Sequence, residues 1–268
     1  MNTPHSSSDH QITTARGRLF ARCWPAAANV DGQRAAPIVL FHDSLGCIEL
    51  WRGFPALLAA QTGRSVIAYD RLGFGQSDPR SGGLTADFVQ AEAATGFLAL
   101  QDHFGFERFV ALGHSVGGGM AVHCAARYAD ACDGLITVSA QAFVEDKTLA
   151  GISEAQAQFR LPEPFARLQR YHGDKARWVL DAWIDTWLAP AFRDWSLHEV
   201  LPQVTCPTLV LHGSEDEYGS SRHPQQIAGM VGGAAQLELL AGVRHVPHKE
   251  QEDWVVGRIA RFLANGMA

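Results

Sequence analysis

Gly113-His114-Ser115-Val116-Gly117 sets a serine between two glycines, directly after the apolar run "RFVAL" (108–112) and directly before a stretch of small and apolar residues. This G-x-S-x-G spacing suits a sharp strand-to-helix turn that lifts a hydroxyl clear of the backbone, because the glycines leave no side chain to strike the strand or the helix. Such a turn also aims the Val116 N–H towards an oxygen beside Ser115, and the positive end of the helix favours negative charge there. A serine hydroxyl is a weak nucleophile. It needs a base to take its proton and a carboxylate to hold that base in one tautomer. "TLVLHGSEDEYG" (208–219) supplies Glu215, Asp216 and Glu217, and "LLAGVRHVPHKEQEDW" (239–254) supplies His245 and His248. Each set follows an apolar run, and the order serine, acid, histidine suits acyl transfer on an α/β sheet.

The elements that must position these groups are legible as buried runs: "PIVLF" (37–41), "SVIAY" (65–69), "RFVAL" (108–112), "GLITV" (134–138), "TLVLH" (208–212) and "QLELL" (236–240). Continuous apolar character marks strands covered on both faces. Between them, Phe88, Phe97, Leu100 and Phe104, and later Val255, Ile259, Phe262 and Leu263, recur at helical spacing. Alternating strand and helix predict an α/β fold with a doubly wound, mostly parallel sheet, in which ligands bind at the carboxyl ends of the strands. "GRLFARCW" (17–24) reads as an antiparallel edge strand. Residues 1–16 read as a flexible polar tail and 17–268 as one domain. The alternation breaks over about 141–204, which has no buried run but carries Trp178, Trp183, Trp187 and Trp195. This interval is expected to be a helical lid insertion. Its tryptophans anchor it to the body, with Trp183 and Trp187 as candidate walls of a substrate pocket.

Composition narrows the partners. With 47% hydrophobic and 19% charged residues, the chain of 268 can bury one substantial core. A net charge of −6 argues against nucleic acid. No run approaches the roughly 20 apolar residues of a membrane span, and no secretory signal opens the chain. Five cysteines form an odd set without CxxC spacing, which points away from a disulfide framework or zinc site and towards a cytoplasmic setting. "RLGFGQSD" (71–78) fails the dinucleotide spacing because Asp78 stands where the third glycine would be. No cofactor or metal is expected, and the partner is expected to be a small, uncharged or apolar molecule.

Taken together, "LFHDSLG" (40–46), "YDRLGFGQSD" (69–78), "GHSVGG" (113–118), "LHGSEDEYG" (211–219) and "RHVPHKE" (244–250) resemble the α/β-hydrolase superfamily, in its lid-bearing branch of esterases and carbon–carbon bond hydrolases. The resemblance covers roughly residues 17 to 264. It implies Ser115 as nucleophile, Asp216 as the acid and His245 as the base. His245 is selected because the family's histidine commonly precedes x-Pro-His, which leaves His248 a structural role. Arg244 stands where the family usually has glycine. The resemblance also implies an oxyanion hole made by the backbone N–H groups of Val116 and Ser44. The family's His-Gly-x is here His42-Asp43-Ser44, so Asp43 is the alternative donor.

These features lead to a serine hydrolase of the carboxylesterase type, cleaving a small carboxylic ester or thioester through an acyl-enzyme. Carbon–carbon bond hydrolysis of a vinylogous diketone is one alternative, weakened by "HDSLG" where that type has a glycine-richer loop. A ligand receptor that kept the fold while catalysis faded is another. Dehalogenase and epoxide hydrolase chemistry in this superfamily requires Asp at the position of Ser115.

Overall fold

Strands and helices alternate along the described residues, 7–26 and 35–265 of the computed structural model. In chain order they are β1 (Ser8–Thr14), β2 (Gly17–Trp24), β3 (Ile38–Phe41), α1 (Phe54–Thr62), β4 (Val66–Asp70), α2 (Phe88–Ala91), α3 (Gly96–Phe104), β5 (Phe109–His114), α4 (Val116–Arg127) and β6 (Cys132–Val138). After these come α5 (Asp146–Gln158), α6 (Pro162–His172), α7 (Ala176–Trp187), β7 (Thr208–Gly213), α8 (Arg222–Met230), β8 (Ala235–Leu240), α9 (Pro247–Glu250) and α10 (Glu252–Asn265).

The eight strands form one sheet in the order β1-β2-β4-β3-β5-β6-β7-β8. β2 is antiparallel to β1 and β4, and every later pairing is parallel. All residues of β3, β4, β5 and β7 are buried, as a sheet covered on both faces requires. The period of two divides them. Ile38 and Leu40 join Leu112, Phe54 of α1 and Ile259 of α10 on one face. Val39 and Phe41 join Tyr69, Phe97 of α3 and Met120 of α4 on the other. This is the doubly wound, mostly parallel α/β sheet that the alternation of runs predicts.

Four details depart from the sequence expectation. The expected tail 1–16 contains β1, paired with β2 from Ser8–Cys23 to Thr14–Gly17. Backbone pairing and the single buried Ile12 hold this strand, and neither leaves a run of apolar residues. Positions 1–6 of that tail lie outside the described residues. β2 therefore lies inside the sheet, and β1 is its edge. β8 is the other edge and is largely exposed, with Leu237 and Leu239 open to solvent. The segment 85–104 is not one helix but α2, a 3₁₀ turn and α3. Gly96 sits at the last break, where a Cβ would overlap the Glu92 carboxyl group.

Helices α5 to α7 lie between β6 and β7 and are tied to the strand-end loops. His172 accepts from Gly75 N through Nδ1 at 2.9 Å, so its Nε2–H donates to Leu45 O at 3.0 Å. Trp178 Nε1 donates to Gly82 O at 2.8 Å, and Thr148 Oγ1 donates to Tyr218 O at 2.7 Å. The inserted helices thus touch the loops after β3, β4 and β7.

Candidate active site

Ser115 forms the apex between β5 and α4 with φ 57° and ψ −128°, a conformation a non-glycine residue holds at a cost of about 1–3 kcal/mol. Its N–H donates to Val138 O and its carbonyl accepts from Gly118 N, fixing the turn from both sides. The flanking glycines are sterically required. A Cβ on Gly113 would strike the Gly117 carbonyl, and one on Gly117 would strike the Phe41 carbonyl. The Val116 N–H, first in α4, has no described backbone acceptor. The Ser115 hydroxyl donates to Gln141 Oε1 at 3.2 Å.

Asp216 and His245 are brought together. His245 Nδ1 lies 2.9 and 2.8 Å from the two Asp216 oxygens, and Asp216 Oδ1 also accepts from Tyr218 N and Gly219 N. Burial opposes ionisation of Asp216, but the His245 hydrogen bond and charge outweigh it and hold the carboxyl at about 2. Burial likewise opposes charging His245, and Asp216 outweighs it, so the imidazole pKa is raised. His212 Nε2 stands 3.4 Å from Asp216 Oδ2 without a hydrogen bond, and burial brings its pKa down to about 4. His248 is placed elsewhere, buried against Trp51, Phe54 and His114. Burial holds it well below the ordinary histidine range, and its Nδ1 has no partner.

The loop after β3 is built around Asp43. Arg71 N–H donates to His42 Nε2 at 3.1 Å, so His42 Nδ1–H donates to Asp43 O at 2.8 Å. Asp43 Oδ1 accepts from Leu45 N at 2.8 Å, a side-chain-to-backbone turn, and Asp43 O accepts from Gly46 N. The N–H groups of Leu45 and Gly46 are thereby engaged, while those of Asp43 and Ser44 meet no described acceptor. Asp43 Oδ2 stands 3.3 Å from His114 Nδ1, and His114 Nε2 stands 2.9 Å from the His245 carbonyl. Burial opposes the Asp43 charge, but His114 outweighs it and keeps the carboxyl well below its usual range.

Three supports escaped the sequence reading. Gln141, three residues past the end of β6, partners the Ser115 hydroxyl. Glu217, one of the two acids beside Asp216, accepts from the backbone N–H of His245 at 3.2 Å. Glu145 and His223 join the loop after β6 to the start of α8: His223 Nδ1 accepts from Ala142 N, so its Nε2–H donates to Glu145 Oε1 at 3.0 Å. Each contact spans residues remote in the chain, and no local motif marks it.

Ser44, Ser115, Gln141, Trp183, Trp187 and His245 share the wall of one cavity of about 240 Å³. Trp183 and Trp187 are nine-tenths buried or more, and their rings close the cavity from α7. The pieces therefore meet at one place: a hydroxyl on a strained turn, a carboxylate-held imidazole, the Asp43-Ser44 loop with its unengaged N–H groups, and aromatic walls. A mostly parallel sheet presenting such a cavity above its strand ends defines the class, an α/β fold with a candidate site at the carboxyl edge. The family model described as alpha/beta hydrolase fold matches residues 36–199, and the chain belongs to that family. An uncharacterized protein of Mycobacterium tuberculosis is 29% identical over 262 residues, covering 84% of this chain and 74% of its own. A non-heme haloperoxidase of Rhodococcus erythropolis is 28% identical over 264 residues, covering 87% and 94%. Among solved structures, a carboxylesterase from Bacillus subtilis superposes with a TM-score of 0.70 at 20% identity, covering 98% of this chain and 93% of that one, a likeness of fold. Among the described residues, no helix is long and apolar enough to cross a membrane, and no group of His, Cys, Asp and Glu has metal-site geometry.

Proposed function

We propose that this protein is a serine hydrolase that cleaves small, uncharged or apolar carboxylic esters or thioesters through an acyl-enzyme. The observation that carries the reading is the contact of His245 Nδ1 with both oxygens of the buried Asp216. It commits Nδ1 to donating and leaves Nε2 as the basic nitrogen in the cavity that also holds Ser115. In the proposed reaction Ser115 leaves Gln141 by a rotamer change and gives its proton to His245 Nε2 as its Oγ bonds to the ester carbonyl carbon. The N–H groups of Val116 and Ser44 stabilise the negative oxygen that develops. His245 passes the proton to the leaving alcohol or thiol. Water, deprotonated by His245, then attacks the acyl-enzyme, and the acid departs as Ser115 regains its proton.

Ser44 is taken as the donor by its place two residues after His42; Asp43 lines the same cavity, and its N–H likewise meets no described acceptor, so it stays the alternative. Support for the substrate class comes from Trp183 and Trp187, which with Leu45, Leu50 and Ile152 make the walls mainly apolar. Ser115→Ala should lower kcat/KM on a short acyl ester by about 10⁴-fold or more and abolish labelling by a fluorophosphonate. Full esterase activity in that variant would remove Ser115 from the mechanism. A ring-cleavage diketone assayed beside the ester panel separates carbon–carbon bond hydrolysis from ester cleavage.

A further inference from the structure

A second cavity, of about 620 Å³, opens between β1, the loop after β4 and the start of α3. It is larger than the cavity at Ser115 and shares no lining residue with it. Three arginines face it, Arg16, Arg71 and Arg80, together with apolar Leu19, Leu84 and Phe88. We infer that this cavity binds a small amphipathic organic anion, a carboxylate with an apolar tail.

Arg71 carries the inference. It is only 4% exposed, and buried guanidinium groups are ordinarily paired with an anion. Its partners here are neutral: Nη2 donates to Asp43 O at 2.8 Å, Nε donates to His42 Nε2 at 3.3 Å, and the Phe74 ring lies 4.2 Å away. Among the described residues it has no carboxylate within ion-pair distance, and its Nη1 donates to no acceptor. Two acids line the cavity, Glu92 and Asp102; Glu92 is engaged by the Tyr69 hydroxyl at 2.7 Å, and burial raises its pKa against the opposing charges of Arg71, Arg80 and Arg16. Arg16 and Arg80 also form no ion pair among the described residues. With three arginines against Glu92 and Asp102, the cavity carries an excess of positive charge beside its apolar lining. Planar carboxylate matches the fork of an arginine better than any neutral group does, and the volume falls within the roughly 300–1,000 Å³ of small-molecule sites. Because Arg71 also holds the Asp43 carbonyl, such a ligand would share one residue with the loop that carries Ser44.

Calorimetric titration of the full chain with octanoate, and with octan-1-ol as its neutral counterpart, tests the site without requiring turnover. Octanoate should saturate at one equivalent and bind at least about tenfold tighter than octanol, the scale of a charge-assisted hydrogen bond. Arg16→Gln combined with Arg80→Gln should weaken octanoate by about tenfold or more. Ala94→Trp, which fills the cavity from its exposed rim without removing a charge, should abolish binding. Lys249→Gln, at the cavity of Ser115, should leave it unchanged. Absence of saturable binding, equal affinity for octanol, or native affinity in the arginine double variant and in Ala94→Trp would overturn the inference. So would weakening by Lys249→Gln, which would place octanoate beside Ser115 instead.

Discussion

At His245 two opposing influences meet on one ring: burial disfavours the positive charge, and the hydrogen bond and charge of Asp216 favour it, so the pKa stands above the ordinary 6.5. A general base works in its neutral form, so kcat/KM for ester hydrolysis should rise with pH along a limb lying above 6.5. Asp216→Asn should lower kcat by about ten-thousand-fold, since the ring loses the partner that holds its tautomer, and should move the limb to lower pH. A pH–rate profile of both proteins reads the two effects, and an unmoved limb would separate Asp216 from the titrating base. The same pair has a signature in stability. The raised His245 pKa contributes stability below its unfolded value of 6.5 that is lost as pH rises through the folded pKa. The depressed Asp216 contributes stability above its unfolded value of 3.8 that is lost as pH falls towards about 2.

Between residue and fold stand the elements, and the turn from β5 to α4 was the most legible of them. Its two glycines and its serine lie within five consecutive positions, so the steric requirement is written locally. Helix α7 was legible only as an aromatic stripe, because helical spacing says which residues share a face and not what that face meets. In the structure the face meets the cavity: Trp187 packs on Phe192 and Trp195, and its Nε1 has no partner among the described residues. Trp187→Phe therefore orphans no acceptor and removes one ring from the wall. It should shift the preferred acyl chain upwards by one or more methylenes, with about a tenfold change in the ratio of kcat/KM values for long and short esters. An acyl-chain panel measures it, and an unchanged ratio would place the acyl group away from α7.

Over the whole molecule the sheet is sealed on both faces, and α10 closes one of them beside α1. Ile259 is fully buried there among Val255 and Phe262. Ile259→Ala should cost about 2–5 kcal/mol in chemical denaturation while leaving kcat of the folded protein unchanged, since no lining residue of the Ser115 cavity comes from α10. A fall in kcat at full folding would tie the cavity to the packing of α10. The sequence by itself determined the parallel sheet, because strands covered on both faces demand unbroken apolar runs. It also placed a serine, acids and histidines at the ends of those strands, where the turn chemistry is local. It did not reveal β1, which is held by backbone pairing that any sequence of mixed polarity can make. Nor did it reveal Gln141 beside Ser115, Glu217 beneath His245, or Arg71 between Asp43 and a second cavity. Those contacts join residues 26, 28 and 28 positions apart, or lie across the sheet, and only the packing of the whole chain brings them within a hydrogen bond.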